Sequence, residues 1–231
     1  MAAAAGIGPL PDQGPPHPLP NLSQARIILG SASTSRKGIM DEVAKEYGFT
    51  YEVCTADIDE KAIREPDPKH LVIRLAHAKA EAIRAKLLLA GTITGLLLTC
   101  DQVVVHEGRI LEKPHDAAEA RQFIDGYGRS PAQTVGSVVV TDLDTGLSYE
   151  GVDVATIHFE PLPSAAVETL IAEGDVLWCA GGLMVEHPLV QPHVTRMEGT
   201  LDAVMGLPKA LVLRLLRKAL APDVDGPGAA S

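Results

Sequence analysis

The chain has 231 residues, 46% of them hydrophobic, and a formal net charge of −10. That length buries a core for one large α/β domain or two small lobes, and the acidic balance argues against a general nucleic-acid binder, whose affinity comes mainly from Lys and Arg. No apolar run reaches the roughly 18 residues a bilayer span requires, and the three widely spaced cysteines (Cys54, Cys100, Cys179) read as reduced thiols of a cytoplasmic protein.

Residues 1–24 are rich in Ala, Gly and Pro and hold no Arg or Lys. They are expected to form a disordered tail, without the charged n-region of a signal peptide. Residues 25–220 form the expected domain, in which strands and helices alternate. Arg26 to Gly30 reads as a short apolar strand. Ile39, Met40, Val43, Ala44 and Tyr47 then recur at helical spacing. Thr50 to Thr55 is a second strand, and Asp67-Pro68 opens a helix with Leu71, Val72, Leu75, Ala76 and Ile83 on one face.

Leu96 to Cys100 and Gln102 to Val105 are strand-like, followed by a turn at His106-Glu107-Gly108-Arg109. Asp116 is placed to cap a helix through Phe123, Ile124 and Tyr127. Thr134 to Thr141 and Leu147 to His158 read as a hairpin around Asp142-Leu143-Asp144-Thr145-Gly146. Ser164 starts another helix, and Lys209 to Leu220 is the last. Residues 221–231 read as a second disordered tail. βα units combined with an antiparallel hairpin imply an α/β fold, a mixed twisted β-sheet flanked by helices.

Several clusters have chemical potential. Gly30-Ser31-Ala32-Ser33-Thr34-Ser35-Arg36 joins a strand to a helix, where free amides and the helix dipole favour an anion and Arg36 can reach a phosphate. A serine-rich cap with an exposed arginine would look the same. Asp57-Ile58-Asp59-Glu60 follows a strand and could hold a hard cation or be a polar turn. Lys79 falls on an apolar stripe, four residues after Leu75 and four before Ile83, so it must snorkel or meet an anion.

Asp101 interrupts an otherwise apolar run, and a buried carboxylate is costly unless it is paired, protonated or metal-bound. Pro114 fixes the chain just after Lys113 and so aims that lysine. Trp178, the single tryptophan, could stack on a base, although the core is the commoner place for one. The chain lacks a Gly-x4-Gly-Lys-Ser/Thr phosphate loop, a Gly-x-Gly-x-x-Gly dinucleotide motif and a His-Glu-x-x-His zinc motif.

Seven pieces occur in an order that resembles the Maf family: Ser31-x-Ser33-x-x-Arg36, Asp59-Glu60, Arg74-Leu75-Ala76-x-x-Lys79-Ala80, Asp101-Gln102-Val103-Val104, Glu112-Lys113-Pro114, Ala180-Gly181 and Gly206-Leu207-Pro208. They run from about residue 26 to about residue 218. The resemblance implies two lobes around a cleft, similar to inosine-triphosphate pyrophosphatase folds, and usually a homodimer. It implies hydrolysis of a nucleoside triphosphate between its α- and β-phosphates with Mg2+ or Mn2+. By position, Asp101 matches the family's proton acceptor and Glu60 its acidic partner near the metal. Ser31, Ser33, Arg36, Lys79 and Lys113 match residues that bind substrate.

Within the resemblance, Ser35, Gln102 and Glu186 depart from the branch similar to dTTP and UTP enzymes and look like the branch acting on 7-methyl-GTP. A carboxylate at Glu186 can accept from the N1–H and 2-amino edge of guanine, where uracil and thymine offer one ring donor. A dTTP/UTP enzyme of the same family, or a nucleotide-binding regulator of cell division without useful turnover, are the competing expectations.

Overall fold

The computed structural model describes residue 19 and residues 21–91 and 94–220. The two tail expectations therefore lie outside the described residues for 1–18, 20 and 221–231. The end of the expected N-terminal tail is packed: Leu22–Gln24 is a 3-10 turn, and Leu19 and Leu22 are buried beside helix residues of the first core.

Among the described residues seven strands form one mixed sheet: β1 (Ile27–Gly30), β2 (Tyr51–Val53), β3 (Leu96–His106), β4 (Arg109–Leu111), β5 (Ala132–Asp142), β6 (Ser148–Phe159) and β7 (Val194–Glu198). Their order is β2-β1-β3-β5-β6-β7, with β4 paired to the far end of β3. β1 is parallel to both β2 and β3, and the remaining pairs are antiparallel. The two strand-like runs on either side of Asp101 are one continuous strand, and the turn after it is the tip of the β3–β4 hairpin.

Among the described residues six helices flank the sheet: α1 (Thr34–Tyr47), α2 (Pro68–Leu89), α3 (Ala117–Tyr127), α4 (Ser164–Glu173), α5 (Leu201–Val204) and α6 (Lys209–Leu220). Their starts follow from capping chemistry. Ser33 accepts from the Arg36 amide, Asp67 from that of His70 and Asp116 from that of Glu119. α1 stops where Gly48 takes φ 69°, a left-handed conformation that glycine adopts without strain. Among the described residues no helix is long and apolar enough to cross a membrane.

The pleat of β3 organises the core, because successive side chains point to opposite faces. Leu97 and Val103 pack with residues of α2, and Thr99 donates to the Ala76 carbonyl of the same helix at 2.9 Å. Leu98 and Cys100 join α1 and α6 on the other face. A separate core gathers Val104, Leu111, α3, α4 and the end of β6. The expected mixed sheet with helices on its faces is present, with the core of α1 and α6 and the core of α3 and α4 as distinct clusters that both include residues of β3.

Candidate active site

The structure has a cleft of about 730 Å³. The ten residues matched through the family resemblance all line it: Ser31, Ser33, Ser35, Arg36, Glu60, Lys79, Asp101, Gln102, Lys113 and Glu186. Asp57 and Asp59, considered with Glu60 for a cation, are not in its lining, and Asp59 instead accepts from the Lys61 amide.

The β1–α1 turn supplies the first wall. The Ser31 hydroxyl accepts from the Ser33 amide, and the Ser33 hydroxyl caps α1. Thr34 and Ser35 occupy the first helical positions, whose amides have no partner within the helix. Arg36 is held rather than free. Its Nε donates to the Gly206 carbonyl at 2.9 Å and its Nη1 to the Cys100 carbonyl at 3.2 Å. Gly206, at φ 100°, makes this approach possible: a Cβ there would stand 2.9 Å from Arg36 Nε and 2.9 Å from Gln102 Oε1.

β3 and α2 supply the centre. Asp101 is 7% exposed, so the apolar run does bury it. Lys79, whose side chain is 12% exposed, reaches Asp101 at 2.5 Å and Glu60 at 2.9 Å. It meets anions instead of snorkelling, and that contact answers the cost of burying Asp101. Burial raises the Asp101 carboxyl above its ordinary value, and Lys79 and Arg36 draw it back only in part. Burial also weakens the Lys79 ammonium, but Asp101 and Glu60 outweigh it and keep that lysine charged. At Glu60 burial again works upward, while Lys79, Lys113 and Arg36 together hold the carboxyl below the ordinary range.

Gln102 follows Asp101 but points the other way. Its amide donates to the Val204 carbonyl at 2.8 Å, and its buried Oε1 has no partner among the described residues. Lys113 is exposed at the rim on a segment anchored by buried Pro114.

The far wall comes from 3-10 turns at Asp175–Trp178 and Ala180–Gly182. Gly181, at φ 63°, donates to the Glu112 carbonyl at 2.8 Å, and its own carbonyl accepts from the Tyr127 hydroxyl at 2.5 Å. Burial, then the charges of Glu186 and Asp175, push the neighbouring Cys179 thiol up to about 11. The cleft is thus electrically ordered. Lys79, Asp101, Glu60 and Arg36 act on one another as one group, while Asp175 and Glu186, both without an ion-pair partner among the described residues, act on Cys179, with Lys113 near enough to bias both Glu60 and Cys179. Trp178 is not core: it is 76% exposed, on the turn that Asp175 opens and next to Cys179. Asp175 was not singled out from the sequence, because an acid just after a helix reads as a solvated one.

A divalent cation can be tested against this donor set. Glu60 and Asp101 already share one cation, the Lys79 ammonium. Among the described residues no group of three or more His, Cys, Asp or Glu is gathered for a metal. Two carboxylates do not make a closed zinc site, but they fit Mg2+, which takes its remaining oxygens from water and substrate phosphates.

The Maf-like protein family model matches residues 26–219. A 7-methyl-GTP pyrophosphatase of Dictyostelium discoideum is 37% identical over 193 residues, covering 82% of this chain and 95% of that one. A dTTP/UTP pyrophosphatase of an Anaeromyxobacter species is 29% identical over 207 residues, covering 88% and 94%. A nucleoside-triphosphatase, dITP/XTP pyrophosphatase, of Mycobacterium abscessus aligns with a TM-score of 0.39 and 11% identity over 60% of this chain and 74% of that one.

Proposed function

The chain belongs to the family of Maf-like proteins, and from that membership we propose that it is a nucleoside triphosphate pyrophosphatase acting on 7-methyl-GTP or a similar modified nucleotide. Its products are the nucleoside monophosphate and pyrophosphate. The observation that carries the reading is that one cleft gathers Arg36, Lys79 and Lys113 for a polyphosphate, with the paired acids Asp101 and Glu60, and also the two acids Asp175 and Glu186 around Cys179 for a cationic base.

In this reading Arg36, Lys79 and Lys113 hold the phosphate oxygens and stabilise the charge that gathers on the leaving pyrophosphate. The hydroxyls of Ser31 and Ser33 and the amides at the start of α1 support the same oxygens. Asp101 accepts a proton from the attacking water as the bond between the α- and β-phosphates breaks. Burial raises its proton affinity, which suits it to that task, and Lys79 and Arg36 oppose the rise. A bound Mg2+ or Mn2+, held by Glu60 and Asp101 with the substrate, supplies further neutralisation of the polyphosphate.

Glu186 accepts from the N1–H and 2-amino groups of a guanine, and Gln102, which lies beside Gly206 and Arg36, accepts one further donor on its unpartnered Oε1. Ser35, a small side chain in the first turn of α1, leaves the cleft open at that point. We place the enzyme in the cytoplasm as a homodimer. The free thiols of Cys54, Cys100 and Cys179 accord with a reducing compartment.

Release of pyrophosphate from 7-methyl-GTP, GTP, UTP, dTTP and ITP, with Mg2+ or Mn2+, tests the reading. A preference for 7-methyl-GTP supports it. A preference for UTP or dTTP keeps the reaction and overturns the role of Glu186 and Gln102. Tight nucleotide binding without turnover leaves the regulator instead.

A further inference from the structure

Trp178 is the single tryptophan of the chain. Its exposure does not come from a loose loop. Val176, two residues earlier, is fully buried, and Gly181, three residues later, is tied through both its amide and its carbonyl to Glu112 and Tyr127. A Cβ at Gly181 would stand 2.4 Å from the Tyr127 hydroxyl, so the turn sits tightly against its support. An anchored turn therefore presents a large apolar ring at the mouth of the cleft, where the phosphate chemistry has no use for it.

The ring has two acidic companions in the same cleft. Asp175 opens the same turn, Glu186 follows it, and both act on Cys179. Neither carboxylate has an ion-pair partner among the described residues. An indole face is negative and attracts cations, and a flat delocalised cation gains both stacking and charge from it. A neutral pyrimidine offers less ring area and no charge.

We propose that Trp178 is the stacking platform for a positively charged purine base, with Asp175 and Glu186 supplying the opposing charge. This deepens the 7-methyl-GTP reading and rests on it. Trp178 is then a binding residue that sets specificity, and Asp175 acts at longer range through solvent.

Because no other tryptophan is present, the indole emission of the full chain reports this one contact. The products 7-methyl-GMP, GMP and UMP serve as probes, since they are not hydrolysed. Saturable quenching is expected with 7-methyl-GMP, with GMP needing about tenfold more and UMP more still. In turnover, Trp178→Ala is expected to raise KM for 7-methyl-GTP about tenfold while kcat holds, and Trp178→Phe to restore most of the loss. Asp175→Asn is expected to raise KM about threefold for 7-methyl-GTP and not for GTP, with the difference fading at high salt.

If the enzyme prefers 7-methyl-GTP, yet 7-methyl-GMP leaves the emission unchanged and Trp178→Ala keeps its KM, the stacking role is wrong and the substrate reading survives. If the unaltered enzyme prefers UTP, both fall together.

Discussion

Replacing Lys79 with methionine isolates the contact at the centre of the cleft. Methionine keeps most of the stem that lies on the α2 stripe and removes only the ammonium. Asp101, 7% exposed, then loses the partner 2.5 Å away, while Glu60, with a side chain 43% exposed, is re-solvated at small cost. Leaving one member of a buried pair alone costs about 3–5 kcal/mol, and Arg36 remains nearby, so about 3 kcal/mol is expected at pH 8. The loss depends on pH in a definite sense. Asp101 already sits above its ordinary value, and removing Lys79 removes the largest influence holding it down. Its folded form then favours the proton more than the unfolded chain does. Stability is therefore retained below the ordinary carboxylate value and lost as pH rises from there through the raised folded value. Urea unfolding of chelator-treated protein at pH 5 and pH 8 should give a deficit, relative to the unaltered chain, that is about 1–2 kcal/mol larger at pH 8. Turnover should fall at neutral pH and its acid limb should move upward. An equal deficit at both pH values with an unmoved acid limb would refute the assignment of Asp101 as a carboxylate controlled by Lys79.

Other expectations are more direct. Asp101→Asn should lower turnover by roughly 10²–10⁴ with an unchanged circular dichroism spectrum and a smaller loss of stability than Lys79→Met, because Glu60 still meets the Lys79 ammonium; full turnover would remove Asp101 as proton acceptor. Gly181→Ala combines a left-handed backbone with a Cβ 2.4 Å from the Tyr127 hydroxyl and should cost about 2–4 kcal/mol. Gly48→Ala, at φ 69° with open space around it, should cost only about 1 kcal/mol, and equal losses in the two variants would show that the clash is relieved. Asp67→Ala, which removes the cap of α2, should lower stability by about 1 kcal/mol in thermal melts.

The parts that were legible in the sequence are those written locally. Asp67 and Asp116 announce their helices because a cap needs only a side chain and an amide a few residues on. The hairpin around Asp142 to Gly146 is likewise spelled out by its turn residues and flanking strands. Asp101 stood out because a carboxylate inside an apolar run must have an exceptional partner. The identity of that partner was not written there: Lys79 lies 22 residues away and meets Asp101 only because α2 packs on the odd-numbered face of β3. β7 escaped notice because Val194–Glu198 is an edge strand, with Thr, Arg and Glu exposed and little alternation to read. The exposure of Trp178 depends on 3-10 turns whose direction is set by distant bonds to Glu112 and Tyr127. A one-dimensional pattern carries none of that.

The alternation along β3 has a consequence for how such an enzyme can change. Asp101 looks toward α2 and Gln102 toward α5 and the Gly206 turn, though only one peptide bond separates them. A substitution at Gln102 is met by Val204 and Gly206, and the ion pairs around Lys79 stand on the opposite side of the sheet. The strand thus acts as a partition with one crossing, Arg36, whose guanidinium bonds the Gly206 carbonyl beside Gln102 and still acts on Asp101. A change at Gln102 that retunes which nucleotide is accepted leaves the Asp101–Lys79 pair in place as long as that one bond is kept.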